Sequence, residues 1–197
     1  SVVKDRSVNY LNAYHAQSEG ISAKKDADEL DGYDKQGMTL NHSHSFSNIE
    51  AHWMIKVMKD FVEDDGYNAS FKFVDDKEAY SKSLQQIYKQ SLKLNAGSGT
   101  LKHNISLNKT DRLVKYFDTS SSKYVETSYG GSGLSQDIHW IKRFGIGEAI
   151  AGVSHEYETF NQTGIDEKKA NLYSIYTSVN HKLRQYFLNV GLRSDTH

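Results

Sequence analysis

The sequence contains no cysteine, no proline, no long apolar run and no excess of charge of either sign. Without cysteine there is no disulfide framework, no thiolate zinc site and no thiol nucleophile. Without an apolar run approaching roughly 18 residues, a helical membrane protein is excluded. A β-barrel is not excluded, because its strands alternate lipid-facing and lumen-facing residues and keep mean hydropathy low; here it is −0.69. The net charge is −1 and the pI about 6.7, so nothing resembles the basic face that nucleic acid asks for. Catalytic signatures are missing as well. There is no G-x-S-x-G elbow and no G-x-x-x-x-G-K-[ST] phosphate loop. Gly130-Gly131-Ser132-Gly133 reads as the opening of a strand with no helix behind it, so it does not form an anion cradle.

What the sequence does hold is tyrosine, 13 of them, together with 14 glycines and a strong period of two. In the stretch from Thr100, Leu101, His103, Ile105 and Leu107 share one face, and Lys102, Asn104, Ser106 and Asn108 the other. Met38, Leu40, His42, His44 and Phe46 do the same against Gly37, Thr39, Asn41, Ser43 and Ser45. Ile49, Ala51, Trp53, Ile55 and Val57 form a third such face, and Tyr186, Leu188, Val190 and Leu192 a fourth. The spacing predicts an all-β chain, an antiparallel up-and-down meander of about nine strands. The strands fall at residues 7–18, 33–45, 49–60, 84–96, 100–112, 126–141, 148–160, 169–180 and 184–194.

Most of these segments exceed the roughly 5–6 residues of soluble strands and match the roughly 9–11 that a tilted membrane strand needs. Connections alternate: short at Ser47-Asn48, Gly97-Ser98-Gly99, 142–147 and 181–183, long and polar at 19–32, 61–83, 113–125 and 161–168. Short turns at one end and long loops at the other are the habit of outer-membrane barrels. A soluble antiparallel sheet with one polar face remains the alternative, and it requires Ile105, Leu107, Leu188 and Val190 to be buried between two sheets. Strand length, loop sorting and tyrosine content favour an open part of a larger transmembrane β-barrel. Tyr10, Tyr14, Tyr33, Trp53, Tyr88, Trp140, Tyr157, Tyr173, Tyr176 and Tyr186 are then expected at the headgroup girdles.

Three stretches resemble TonB-dependent outer-membrane receptors, and the cobalamin-receptor branch in particular. They are Gly20-Ile21-Ser22-Ala23 followed by Glu29-Leu30-Asp31-Gly32-Tyr33, the run Gly145 to Glu158, and Asn189-Val190-Gly191-Leu192-Arg193-Ser194-Asp195. Their order agrees with the family, and the likeness in kind extends over residues 1–197. The resemblance implies one partial barrel domain. The complete protein would have a plug domain inside a closed barrel of about 22 strands, with TonB as its partner and outer-membrane lipid around it. It further implies import of a metal-chelate nutrient, cobalamin first and a siderophore or haem second, by binding without catalysis. A porin-like structural barrel and a soluble all-β binding domain are the rival classes. The chain starts and ends in strand-like sequence, which we read as internal to something longer.

Acidic residues gather in the first two long loops: Asp26, Asp28, Glu29 and Asp31, then Glu63, Asp64, Asp65, Asp75, Asp76 and Glu78. Converging carboxylates are what calcium needs, and solvated loop charges are the plainer reading. The resemblance places Glu29 and Asp31 at a calcium site; Asp64 and Asp65 are candidate partners from the second loop that the family's pattern does not itself assign. His42 and His44 share a face near a short turn, where interface histidines are expected rather than a zinc site. Glu156 and Glu158 share the polar face of their strand and are expected to line a hydrated interior.

Overall fold

The computed structural model describes residues 5–19, 32–63, 66–67, 73–74, 78–183 and 185–197. The strands are β1 (Arg6–Ser18), β2 (Tyr33–Phe46), β3 (Ile49–Glu63), β4 (Gly66–Tyr67), β5 (Phe73–Val74), β6 (Tyr80–Ala96), β7 (Gly99–Asp118), β8 (Lys123–Phe144), β9 (Gly147–Gln162), β10 (Ile165–Leu183) and β11 (Tyr186–Thr196). Nine of them form one sheet in the order β1-β2-β3-β6-β7-β8-β9-β10-β11, and β4 with β5 makes a small separate ladder. Every neighbouring pair in the large sheet is antiparallel. The sheet is open, with β1 and β11 at its edges. The all-β up-and-down meander expected from the spacing is the observed fold.

The strands are longer than the spacing indicated, reaching 22 residues in β8. Two of the expected long loops are not loops. Residues 113–125 extend the β7–β8 ladder to Asp118↔Lys123, and residues 161–168 lie largely in the β9–β10 hairpin, which closes at Gln162↔Ile165. Neither run shows a period of two: 161–168 is polar apart from Ile165, and 113–118 with 123–125 carries apolar residues on both faces, Leu113 and Phe117 on one and Val114 and Tyr116 on the other; cross-strand pairing decides it. The stretch 61–83 likewise gives up its ends to β3 and β6. Gly130 to Gly133 lies inside β8 rather than opening it, since the ladder runs unbroken from Asp118↔Lys123 to Gly99↔Lys142.

The short-turn end is closed by tight hairpins. Ser47 (φ 51°), Gly97 (φ 58°) and Gly145 (φ 49°) take positive φ there, the conformation that two-residue hairpin turns require and that glycine adopts without a Cβ penalty.

Register sorts the side chains into two faces. On one, the rows Met38–Val57, Leu40–Ile55, Leu107–Leu134, Leu101–Trp140, Ile138–Val153 and Val179–Val190 build an apolar band beginning at the short turns. It is interrupted by Gln90, His103, Gln136 and His155. The opposite face carries Ser91, Asn104, Asp137, Ser154, Glu156, Ser174 and Arg193. The described residues form one layer whose only buried hydrophobic residues are Ala51 and Ala79. Leu107, Val153, Leu188, Val190 and Leu192 stand exposed, Leu192 at 75%. The burial between two sheets that the soluble alternative requires is not what these side chains experience.

The tyrosines divide between the faces. Tyr88, Tyr157, Tyr173 and Tyr186, with Trp53 and Trp140, are on the apolar face. Tyr10, Tyr14, Tyr33 and Tyr176 are on the polar face, which corrects their expected place in a girdle. Their parity is fixed by pairing with polar-face partners such as Gly37 and Gly152. The missing Cβ of each glycine leaves room for a ring: Tyr14 lies over Gly37 and Tyr176 over Gly152.

Candidate functional site

The polar face of β6 to β11 carries two neighbouring groups of bonded side chains. Asp137 is the hub of the first. Its Oδ2 accepts the Tyr176 hydroxyl at 2.5 Å, and its Oδ1 meets His139 Nδ1 at 2.5 Å and accepts from Asn104 Nδ2 at 3.5 Å. Ser91 donates to Asn104 Oδ1 at 2.8 Å. Arg193 donates to Ser174 Oγ through Nη2 at 2.8 Å and to Asp195 Oδ1 through Nε at 2.7 Å. Five strands supply these groups, and each is placed by alternation along its own strand plus register across the sheet. Ser135, Asp137, Glu156, Tyr176 and Arg193 border a groove of about 470 Å³. The groove offers donors and acceptors of both charges, so it suits binding a polar surface.

A second cluster lies at the long-loop end. Lys115 forms an ion pair with Glu78 at 2.7 Å and stands over the Tyr124 ring at 4.9 Å. Tyr80 donates its hydroxyl to Glu126 at 3.1 Å. The bond to Glu78 raises the Lys115 pKa, and the bond to Glu126 raises that of Tyr80, because each stabilises the protonated form. Glu63 Oε2 accepts from the Gly32 N–H at 3.0 Å, and the Glu63 N–H donates to Gly32 O at 2.9 Å. Gly32 and Glu63 are therefore held side by side at the long-loop end of the sheet.

The four expected calcium ligands, Glu29, Asp31, Asp64 and Asp65, lie outside the described residues, as do Asp26, Asp28, Asp75 and Asp76. Glu63 serves the loop base, and Glu78 pairs with Lys115. Among the described residues no group of three or more His, Asp or Glu side chains is arranged to hold a metal ion. His42 meets Asn9 Oδ1 at 2.6 Å, stacks on His44 at 6.3 Å and contacts Trp53 at 5.2 Å. His52 pairs with Ser43 on the opposite face. Glu156 and Glu158 are on the polar face as expected, beside Ser135 and Gly133. Sequence reasoning missed the Asp137 hub. Its only trace there is the alternation Asp137-x-His139, and nothing in the sequence sets Tyr176, 39 residues away, against it.

A one-layer meander of long antiparallel strands, with one apolar and one polar face, is the architecture of a transmembrane barrel wall. Several solved structures share this fold. The chain superimposes on the ferric-catecholate import receptor Fiu of E. coli K12, in its open form, with TM-score 0.74 at 11% identity over 99% of this chain and 41% of that one. The closed form gives 0.74 at 12% identity over 99% and 38%. A mutant of the ferric enterobactin receptor PfeA of Pseudomonas aeruginosa gives 0.68 at 10% identity over 98% and 35%. The chain thus spans well under half the length of the structures it matches. No protein-family model and no curated protein matches the sequence.

Proposed function

We propose that this chain is part of the barrel of a TonB-dependent outer-membrane receptor that imports a metal-chelate nutrient. The observation that carries the reading is the pairing of a bare apolar band with a polar face in a sheet that aligns over nearly its whole length with ferric-chelate import receptors. Lipid covers the band. The polar face lines the lumen, where the Asp137 network meets the plug domain of the complete protein. Ligand is captured by the long-loop end and released inward when TonB acts on the plug, so the wall binds and guides without catalysis.

The neighbours favour a ferric siderophore over cobalamin as the cargo, while the three sequence stretches that resemble the cobalamin branch support the latter. Growth of a deletion strain carrying the full-length gene, on ferric catecholate or on cobalamin as limiting nutrient and with or without TonB, separates them. TonB-dependent growth on one of the two identifies the cargo; growth on both without TonB removes the receptor reading and favours a porin-like barrel.

Calcium belongs to this reading as well. Asp31 and Asp64 are the sequence neighbours of Gly32 and Glu63, which are bonded to each other, and this supports bringing Glu29, Asp31, Asp64 and Asp65 together as oxygen ligands. Chelation of calcium then weakens ligand binding by the full-length receptor, and Asp31→Asn mimics the chelator. Unchanged affinity in both cases removes the metal.

A further inference from the structure

The apolar face does not stop being organised where the apolar band stops. Just beyond Val57, one same-face step toward the long-loop end, stands Lys59, followed by Phe61. Phe61 pairs with Lys82 and Lys59 with Leu84, so Lys59 and Lys82 are diagonal neighbours, with Cβ atoms roughly 7–8 Å apart. Lys82 Nζ lies 5.5 Å from the Phe61 ring centre and 4.3 Å from that of Tyr80. These two lysines, Phe61, Gln36 and Asp34 line a pocket of about 280 Å³. Asp34 is already engaged, by His15 at 3.1 Å and by Gln36 at 3.3 Å. Among the described residues neither lysine has a carboxylate partner.

Two like charges on diagonal positions repel each other unless an anion sits between them. Their position, immediately past the band on the lipid-facing side, is where membrane headgroups begin. We infer that the Lys59–Lys82 pocket binds the phosphate of an outer-leaflet lipid, with the Gln36 amide as a further donor and the Phe61 ring against the sugar or glycerol part. Lysine serves here as a point charge for phosphate. The inference rests on the outer-membrane reading, which sets this end of the sheet outside.

The test uses the full-length protein extracted from outer membranes into mild detergent. Hexa-acyl lipid A, its dephosphorylated form and inorganic phosphate serve as probes, and retained lipid is read by native mass spectrometry. The expected result is that Lys59→Gln with Lys82→Gln weakens lipid A retention by about tenfold, to the level of the dephosphorylated form. Lys56→Gln with Lys89→Gln, on the polar face, leaves retention unchanged. Asp34→Asn strengthens it. Competition by millimolar inorganic phosphate assigns the site to free phosphate rather than lipid; absence of competition assigns it to lipid. Undiminished retention in the Lys59 and Lys82 variant, or an equal loss in the polar-face variant, overturns the site. Heat-modifiable migration confirms that each variant is folded. A protein that needs no detergent fails the membrane reading itself, which is a different result from a folded barrel indifferent to these lysines.

Discussion

Asp137 shows how much one side chain can be asked to do in a wall one residue thick. It stands on the polar face, half-sheltered, and three neighbours on three strands satisfy its oxygens. A charge-assisted bond is roughly twice as strong as a neutral one, so losing one donor from this hub is felt beyond its own strand. Tyr176→Phe is expected to lower the unfolding free energy of the full-length barrel by about 1–2 kcal/mol, measured by urea titration in lipid vesicles. A change near zero would mean that water replaces the hydroxyl without cost. Gly152, under the Tyr176 ring and against the β carbon of His139, has no space for a side chain unless both neighbours move.

At the scale of a strand, alternation assigns opposite environments to adjacent residues. Val153 lies on the apolar face near the middle of the β9 band, paired with Ile138 and Ile175, and Ser154 points the other way beside Asp137. Lysine at a lipid-facing midplane position costs about 2–4 kcal/mol. Val153→Lys is therefore expected to destabilise the barrel by that amount, and Ser154→Lys by much less, in the same vesicle titration. Equal effects would remove the assignment of faces. The β7–β8 hairpin tip makes a second case. The Ser120 hydroxyl and N–H donate to the Asp118 carboxylate at 2.8 Å and 3.0 Å. Bonds from Ser120 and then Ser121 hold its pKa below the ordinary carboxylate range. A depressed folded pKa means that the stabilisation is complete above that range and is lost as pH falls through the lowered value. The protection factor of the Ser120 amide, taken against the intrinsic exchange rate at each pH, should fall on acidification in step with Asp118 protonation. Asp118→Asn should flatten that dependence.

The whole sheet is bounded by two strands that each have one neighbour. β1 pairs only with β2, and β11 only with β10. Unpaired strand edges are not tolerated in the hydrocarbon layer and template association in water. Expressed alone, residues 1–197 are expected to aggregate or to refold in detergent without heat-modifiable migration. The full-length protein, with both edges paired, should show that migration. A monomeric, heat-modifiable 197-residue product would mean that the strands close on themselves in another register.

The sequence by itself determined the class of fold. Period two over long segments needs no tertiary information, because side chains alternate along every strand, and it made Leu101 to Leu107 and Ile49 to Val57 legible at once. It could not fix where strands end. Residues 113–118 and 123–125 carry apolar side chains on both faces and so show no period of two, and only their pairing with one another makes them strand. Alternation sets Tyr173 and Tyr176 on opposite faces of β10, but apolar residues occur at both parities there, so which of the two rings joins the apolar face is decided by register. The Asp137 network and the Lys59–Lys82 pocket were out of reach for the same reason. Each gathers residues from different strands, and cross-strand neighbourhood is set by register, a property of the folded sheet that no single segment carries.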